Sequence, residues 1–260
     1  MLAIEHVQTY LRQSAFQRYE AVPVPPFTLF FHPVRIDPHT NYAIPDAAVS
    51  GDLQAVLGSV RQVFASRRRY ARFEFIEQCA PGLAPVLRAN GFVEEERTAL
   101  MVCSLRAAAP VPAAVVPGLV ITPLGADADL GSVRALMEVQ QRAFDMDDDP
   151  QVSESDARQF LRWLAGTTLF LATLDGVPVA GGSLMPPIAG LAEVAGIATL
   201  PEFRGRGIAT AVTAQAVQSA FERGLEYVFL TAADERAGRV YERVGFRQTA
   251  TALAYIDDRA

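Results

Sequence analysis

The sequence predicts an α/β protein of two domains that repeat one fold. Strand-like and helix-like apolar patterns alternate along the chain, an uncharged Pro/Ala stretch interrupts them near residue 110, and patterns before it recur after it at an offset of 154. The 260 residues are half apolar or aromatic and one fifth charged, which supplies a core and excludes a disordered chain.

Residues 1–19 are amphipathic, with Glu5, Arg12 and Arg18, and have no apolar core of the kind a secretory leader carries. No stretch approaches the ~18 uncharged apolar residues of a membrane span. A helix is expected at 53–69, apolar at 53, 56, 57, 60 and 64, then a strand at 73–76. The basic run Arg67-Arg68-Arg69 with Arg72 falls where that helix ends, a position that suits cations near the helix dipole. Cys79 and Cys103 are expected on strands as buried thiols; two cysteines frame no disulfide scaffold, so a reducing cytoplasm is expected. The segment 107–119 holds three prolines and no charge, and prolines prevent a helix. It divides the chain into 1–108, a linker at 109–117, and 118–260.

After the linker come a strand at 119–124 and helices at 130–144 and 153–164, the second opened by Ser153 with Asp156 three residues on. Strands at 168–174 and 177–184 flank Asp175-Gly176, a hairpin turn signal. A strand at 191–200, a helix at 207–223, a strand at 227–231, a helix at 236–244 and a strand at 246–255 follow.

Composition excludes several chemistries. All 23 basic residues are Arg, so there is no lysine Schiff base and no phosphate loop of the Gly-Lys-Ser/Thr kind. His6, His32 and His39 all precede residue 40, so the second half has no histidine triad or histidine metal site. Net charge is +1 over 1–116 and −7 beyond, a poor match to nucleic acid. The acidic run from Asp145 to Asp149 lacks the Gly and Glu a calcium loop needs, having Pro150 and Asp156 there. No metal is expected.

The informative segment is Glu193 to Thr210, in which a strand runs into a glycine-rich turn that opens a helix. Backbone N–H groups freed by Gly205 and Gly207 converge on an anion at a helix amino terminus, beside Arg204 and Arg206. A dinucleotide fingerprint would require a third glycine where Thr210 stands. The run Arg204-Gly205-Arg206-Gly207-Ile208-Ala209 resembles the coenzyme A loop, (Gln/Arg)-x-x-Gly-x-(Gly/Ala), of the GNAT acetyltransferase superfamily. Downstream, Asp234, Ala237, Tyr241 and Gly245-Phe246 are similar to its second signature, with Asp234 in place of the usual Asn, which keeps an acceptor and loses a donor. The resemblance spans 118–256. It implies a mixed central sheet flanked by helices and an acetyl-CoA-dependent N-acetyltransferase, with acetyl-CoA as co-substrate.

By the same resemblance, the strand backbone at Ile197, Ala198 and Thr199 pairs with pantetheine and supplies the oxyanion donor. Ile208, Ala209 and Thr210 carry the loop into its helix, and Asp234 faces the pantetheine arm. Tyr241 stands where the family often has a general acid; an aromatic packed under the helix is the other reading. Glu193 alternates with Ala195, Ile197 and Thr199, so it is either a base with a raised pKa in the cleft or an exposed charge at a strand end. The acidic run borders the acceptor site in this family, which suits a cationic amine, small molecule or peptide; a solvated loop is the alternative. The resemblance leaves room for a homodimer.

At the offset of 154, Phe73-Glu74-Phe75-Ile76 falls on 227–230, Gly91-Phe92 on Gly245-Phe246, and the helix 53–69 on 207–223. The loop maps to Ser50-Gly51-Asp52-Leu53, without arginine and with a carboxylate where phosphates would sit, and Tyr241 maps to Leu87. The first domain is therefore expected to be a non-catalytic GNAT-like repeat. A non-catalytic acyl-CoA-binding or sensing protein and a nucleotide-binding domain are the rival readings.

Overall fold

The computed structural model describes residues 4–49, 51, 53–105, 116–144, 146–147 and 149–257. Contacts divide the chain into two units: Met1–Leu100 with Gln248–Ala260, and Met101–Arg247. A linear cut at 109–117 leaves residues 248–257 with the second half, whereas the structure groups them with the first unit. The expected linker residues 109–115 lie outside the described residues.

The first unit opens with helix α1 (Ile4–Arg18) and strands β1 (Glu20–Val24), β2 (Phe27–Phe31) and β3 (Asn41–Pro45). Helix α2 (Gln54–Ser66), strand β4 (Arg72–Ile76), helix α3 (Leu83–Ala89) and strand β5 (Val93–Ser104) follow, the part of β5 from Met101 onward counting with the second unit. Strand β11 (Arg247–Ile256) returns from the far end of the sequence and pairs antiparallel with β4, Leu253 opposite Phe75. The β1-β2-β3 hairpins are antiparallel and β3 meets β4 in parallel, so the sheet is mixed.

Strand β2 is buried along its whole length because both of its faces are covered. Phe27, Leu29 and Phe31 pack with Leu57, Val60 and Phe64 of α2, while Phe30 packs with Ala15 of α1. Cys79 lies in a single 3-10 turn, Glu77–Cys79, rather than on a strand, and is half-buried; Cys103 is on β5 and buried. The basic run is engaged within this unit. Arg67 pairs with Glu20 and lies over the Phe31 ring, and Arg69 donates to Asn41. Arg72, only 2 % exposed and on β4 beyond the helix end, pairs with Glu74, with Glu95 at 2.5 Å and with Glu96 at 3.5 Å.

The second unit contains β6 (Leu119–Leu124), α4 (Leu130–Ala143), α5 (Glu154–Trp163), β7 (Thr168–Leu174), β8 (Val177–Leu184) and β9 (Leu191–Thr199). It continues through α6 (Ile208–Glu222), β10 (Tyr227–Ala232) and α7 (Glu235–Val244). Its strand order is β10-β9-β8-β7-β6, antiparallel except for the parallel β9–β10 pair. The expected elements are all present within a residue or two. Ser153 and Asp156 form the capping box that starts α5, worth about 1 kcal/mol. Helices α4 and α5 cover one face through Val133, Leu136 and Ala157, and α6 covers the other. Among the described residues no helix is long and apolar enough to cross a membrane.

The order α2-β4-α3-β5 in the first unit matches α6-β10-α7-β11 at the offset of 154. The counterpart of the glycine-rich turn, 50–53, is described only at Gly51 and Leu53.

Candidate functional site

Strand β9 organises the site. Its pairing with β10 runs from Tyr227↔Leu191 to Phe229↔Glu193 and ends there, so the two strands diverge beyond residue 193. Its other edge stays paired with β8 as far as Ala180↔Thr199. A register shift opposite Gly182 marks a β-bulge at Gly196, whose φ of +62° a side chain would strain.

The bulge changes which face each side chain takes. A Cβ at Gly181 would lie 2.0 Å from Leu136 of α4, and one at Gly182 would lie 2.4 Å from Ile197 and 3.1 Å from Val212 of α6. Ser183 shares the face of Gly181, and so does its partner Ala195, which places Glu193 on the α4 side. Ile197 stands on the α6 side. The expectation that Glu193, Ala195, Ile197 and Thr199 share one face therefore fails, because one extra residue at 196 ends the alternation. Glu193 is partly exposed and does not line the cleft described next.

Where β9 and β10 part, a cleft of about 460 Å³ opens. It is bordered by Ile197, Ala198 and Thr199 of β9, by Gly205, Gly207, Ile208, Ala209 and Thr210 at the start of α6, and by Asp234 and Tyr241 from α7. Gly205 and Gly207 have φ near +80°, and the left-handed Gly207 opens α6 with no side chain on the helix end. The first N–H groups of the helix therefore lack intrahelical partners and carry the positive end of the dipole.

The two loop arginines differ in place, since Arg204 borders the cleft and Arg206 does not. Arg204 donates to the carbonyls of Thr199 (3.1 Å) and Ala143 (2.9 Å), tying the loop to β9 and α4. Arg206 lies 5.2 Å from the centre of the Phe203 ring, donates to the Glu202 carbonyl, and is not among the cleft residues.

Asp234 caps α7, accepting from the Ala237 N–H at 2.7 Å. Tyr241 packs edge-on to Phe246 at 6.1 Å. Burial raises the pKa of its hydroxyl, and the Asp234 carboxylate raises it further, so Tyr241 holds its proton well into alkaline solution.

Sequence reasoning missed three cleft arginines, Arg236, Arg239 and Arg243 of α7; their spacing of three and four residues was the available signal. It also missed Gln140 of α4, which donates to the Gly196 carbonyl at 2.9 Å. Of the acidic run, Asp147 and Asp149 are exposed and linked by a 3.0 Å bond from the Asp149 N–H, while Asp145 and Asp148 lie outside the described residues.

The cleft fits coenzyme A on one observation above all. The Thr199 hydroxyl is buried without a hydrogen-bond partner on the wall of the cleft, a position that costs free energy unless a ligand satisfies it. Ile197–Thr199 would hold pantetheine and the α6 amino terminus the diphosphate.

Residues 133–246 match the acetyltransferase (GNAT) family. A GCN5-related N-acetyltransferase from Kribbella flavida is 26 % identical, with a TM-score of 0.80 over 98 % of this chain and 95 % of that one. A GCN5-related N-acetyltransferase from Sphaerobacter thermophilus is 16 % identical, with a TM-score of 0.67 over 89 % of this chain and 76 % of that one. A tandem GNAT protein from the clavulanic acid biosynthesis pathway, also 16 % identical, gives 0.65 over 90 % and 79 %. No curated protein sequence matches significantly. Within the second unit, over residues 133–246, the chain is therefore similar to the acetyltransferase (GNAT) family.

Proposed function

We propose that the second unit transfers an acetyl group from acetyl-CoA to an amine. The observation that carries this reading is the convergence of a parted strand pair, a bare helix amino terminus and a proton-holding tyrosine on one cleft. Acetyl-CoA supplies an acyl group activated as a thioester. The free N–H groups of Ile208, Ala209 and Thr210 and the dipole of α6 take the diphosphate. The unpaired edge of β9 at Ile197–Thr199 lines up the pantetheine arm and offers a backbone donor to the carbonyl oxygen. As the amine nitrogen bonds to the carbonyl carbon and the carbon–sulfur bond breaks, Tyr241 gives its hydroxyl proton to the sulfur. The proton lost by the amine then restores the hydroxyl through solvent.

On this reading Glu193, outside the cleft on the α4 face, draws the proton from an amine arriving on that side of β9. The exposed carboxylates of Asp147 and Asp149 favour a cationic amine. The test is a panel of amines with acetyl-CoA, followed by thiol release and by mass spectrometry of the product. Acceptor-dependent release with an acetylated product is expected. Absence of release for every amine, together with absence of coenzyme A binding in calorimetry, would overturn the reading.

A further inference from the structure

The arginines of α7 stand apart from those of the loop. Arg236, Arg239 and Arg243 all border the cleft. At 3.6 residues per turn they fall within an arc of about 60° that excludes Tyr241, so α7 presents a cationic stripe separate from its tyrosine. Arg243 and Arg236 form no ion pair with another described residue, and Arg239 meets Glu235 only at 3.6 Å, an exposed pair of little strength.

The stripe also continues past the cleft. Arg239 and Arg243 line an adjoining recess of about 420 Å³ together with Arg247 and Glu242. Arg247 is held there by bonds to the carbonyls of Glu242 (3.1 Å) and Phe246 (2.7 Å). Three guanidinium groups against one carboxylate leave the recess net positive.

Resting on the coenzyme A reading, we propose that this recess binds the 3′-phosphate of the coenzyme's ribose. The α6 amino terminus accounts for the diphosphate, and the one phosphate then left over is the 3′-monoester. It carries about two negative charges near neutral pH, which suits forked guanidinium donors. The consequence is selectivity: the protein distinguishes coenzyme A from its 3′-dephospho form, which shares every other group.

Calorimetry with both compounds tests this on the wild type and on the double variant Arg239→Gln/Arg243→Gln. The wild type should bind coenzyme A about tenfold or more tighter than dephospho-coenzyme A. In the double variant the two affinities should converge, with dephospho-coenzyme A bound as in the wild type, which also shows that the variant is folded. Equal wild-type affinities, or a preference that survives the double substitution, would overturn the proposal and leave the acetyltransferase reading standing. Failure of the wild type to bind either compound would overturn both.

Discussion

The Gln140 side-chain amide donates to the Gly196 carbonyl at 2.9 Å, and a Cβ added at residue 196 would lie 2.8 Å from that same nitrogen. One side chain thus holds the β-bulge and occupies the space a larger residue would need. Gly196→Ala should cost about 1–2 kcal/mol from the left-handed backbone alone, before the collision is counted. Chemical denaturation measures it, and wild-type stability would show that the bulge does not depend on glycine.

Tyr241→Phe keeps the ring against Phe246 and removes the transferable proton. Turnover should fall about 10²-fold while coenzyme A affinity stays unchanged. A variant that turns over like the wild type would assign Tyr241 to packing alone.

Asp234→Asn tests the electrostatics of the same hydroxyl. Burial is the larger cause of the raised Tyr241 pKa and the Asp234 charge the smaller, so removing the charge lowers the pKa toward the ordinary value while burial keeps it above. Because the folded-state pKa exceeds the unfolded one, this group's contribution to stability is complete below the unfolded value and is lost as pH rises through the folded value. The variant should lose it at lower pH, and the alkaline limb of the rate profile should shift the same way. Asn also caps helices well, so α7 should persist. Tyrosinate absorbance, read against Tyr241→Phe, follows the titration; an unmoved midpoint would remove Asp234 from the account.

Thr199→Val should separate folding from binding. Replacing a buried hydroxyl that has no partner stabilises the free protein by on the order of 1 kcal/mol, whereas coenzyme A affinity should drop. Thermal melts with and without coenzyme A give both signs at once. A loss of stability in the free protein would mean that the hydroxyl already has a partner.

Arg72→Met should be among the most damaging substitutions in the first unit. It leaves the partly exposed Glu74, Glu95 and Glu96 facing one another with no cation, a loss of about 1–3 kcal/mol. The deficit should shrink in acid as Glu74, whose pKa burial raises, takes up its proton, which denaturation at two pH values would show. Equal losses at both would place the effect in packing instead.

Local signals were the ones the sequence displayed. The Ser153–Asp156 box and the Asp175-Gly176 turn depend on neighbours within three residues, so their side chains alone announce them. The bulge at Gly196 left no such trace, since Ala195-Gly196-Ile197 also reads as unbroken strand; only the β8 partner reveals the extra residue. The part Arg204 plays in tying down the loop was hidden for a related reason. Its partners are the carbonyls of Thr199 and Ala143, and a carbonyl carries no side-chain signature. The α7 arginines were visible as residues, but their common border on the cleft depends on how that helix sits in the folded unit.

Strand β11 has a bearing on how the protein is made. The first unit needs residues from 248 onward to complete its sheet, yet those residues follow the whole of the second unit in translation order. At ordinary elongation speeds roughly seven to thirty seconds separate residue 100 leaving the peptidyl-transferase centre from residue 248 doing so. Throughout that interval the nascent first unit has an unpaired β4 edge, carrying Phe73 and Phe75, open to any passing strand. The second unit can therefore finish before the first, reversing the usual amino-to-carboxyl order of maturation on the ribosome.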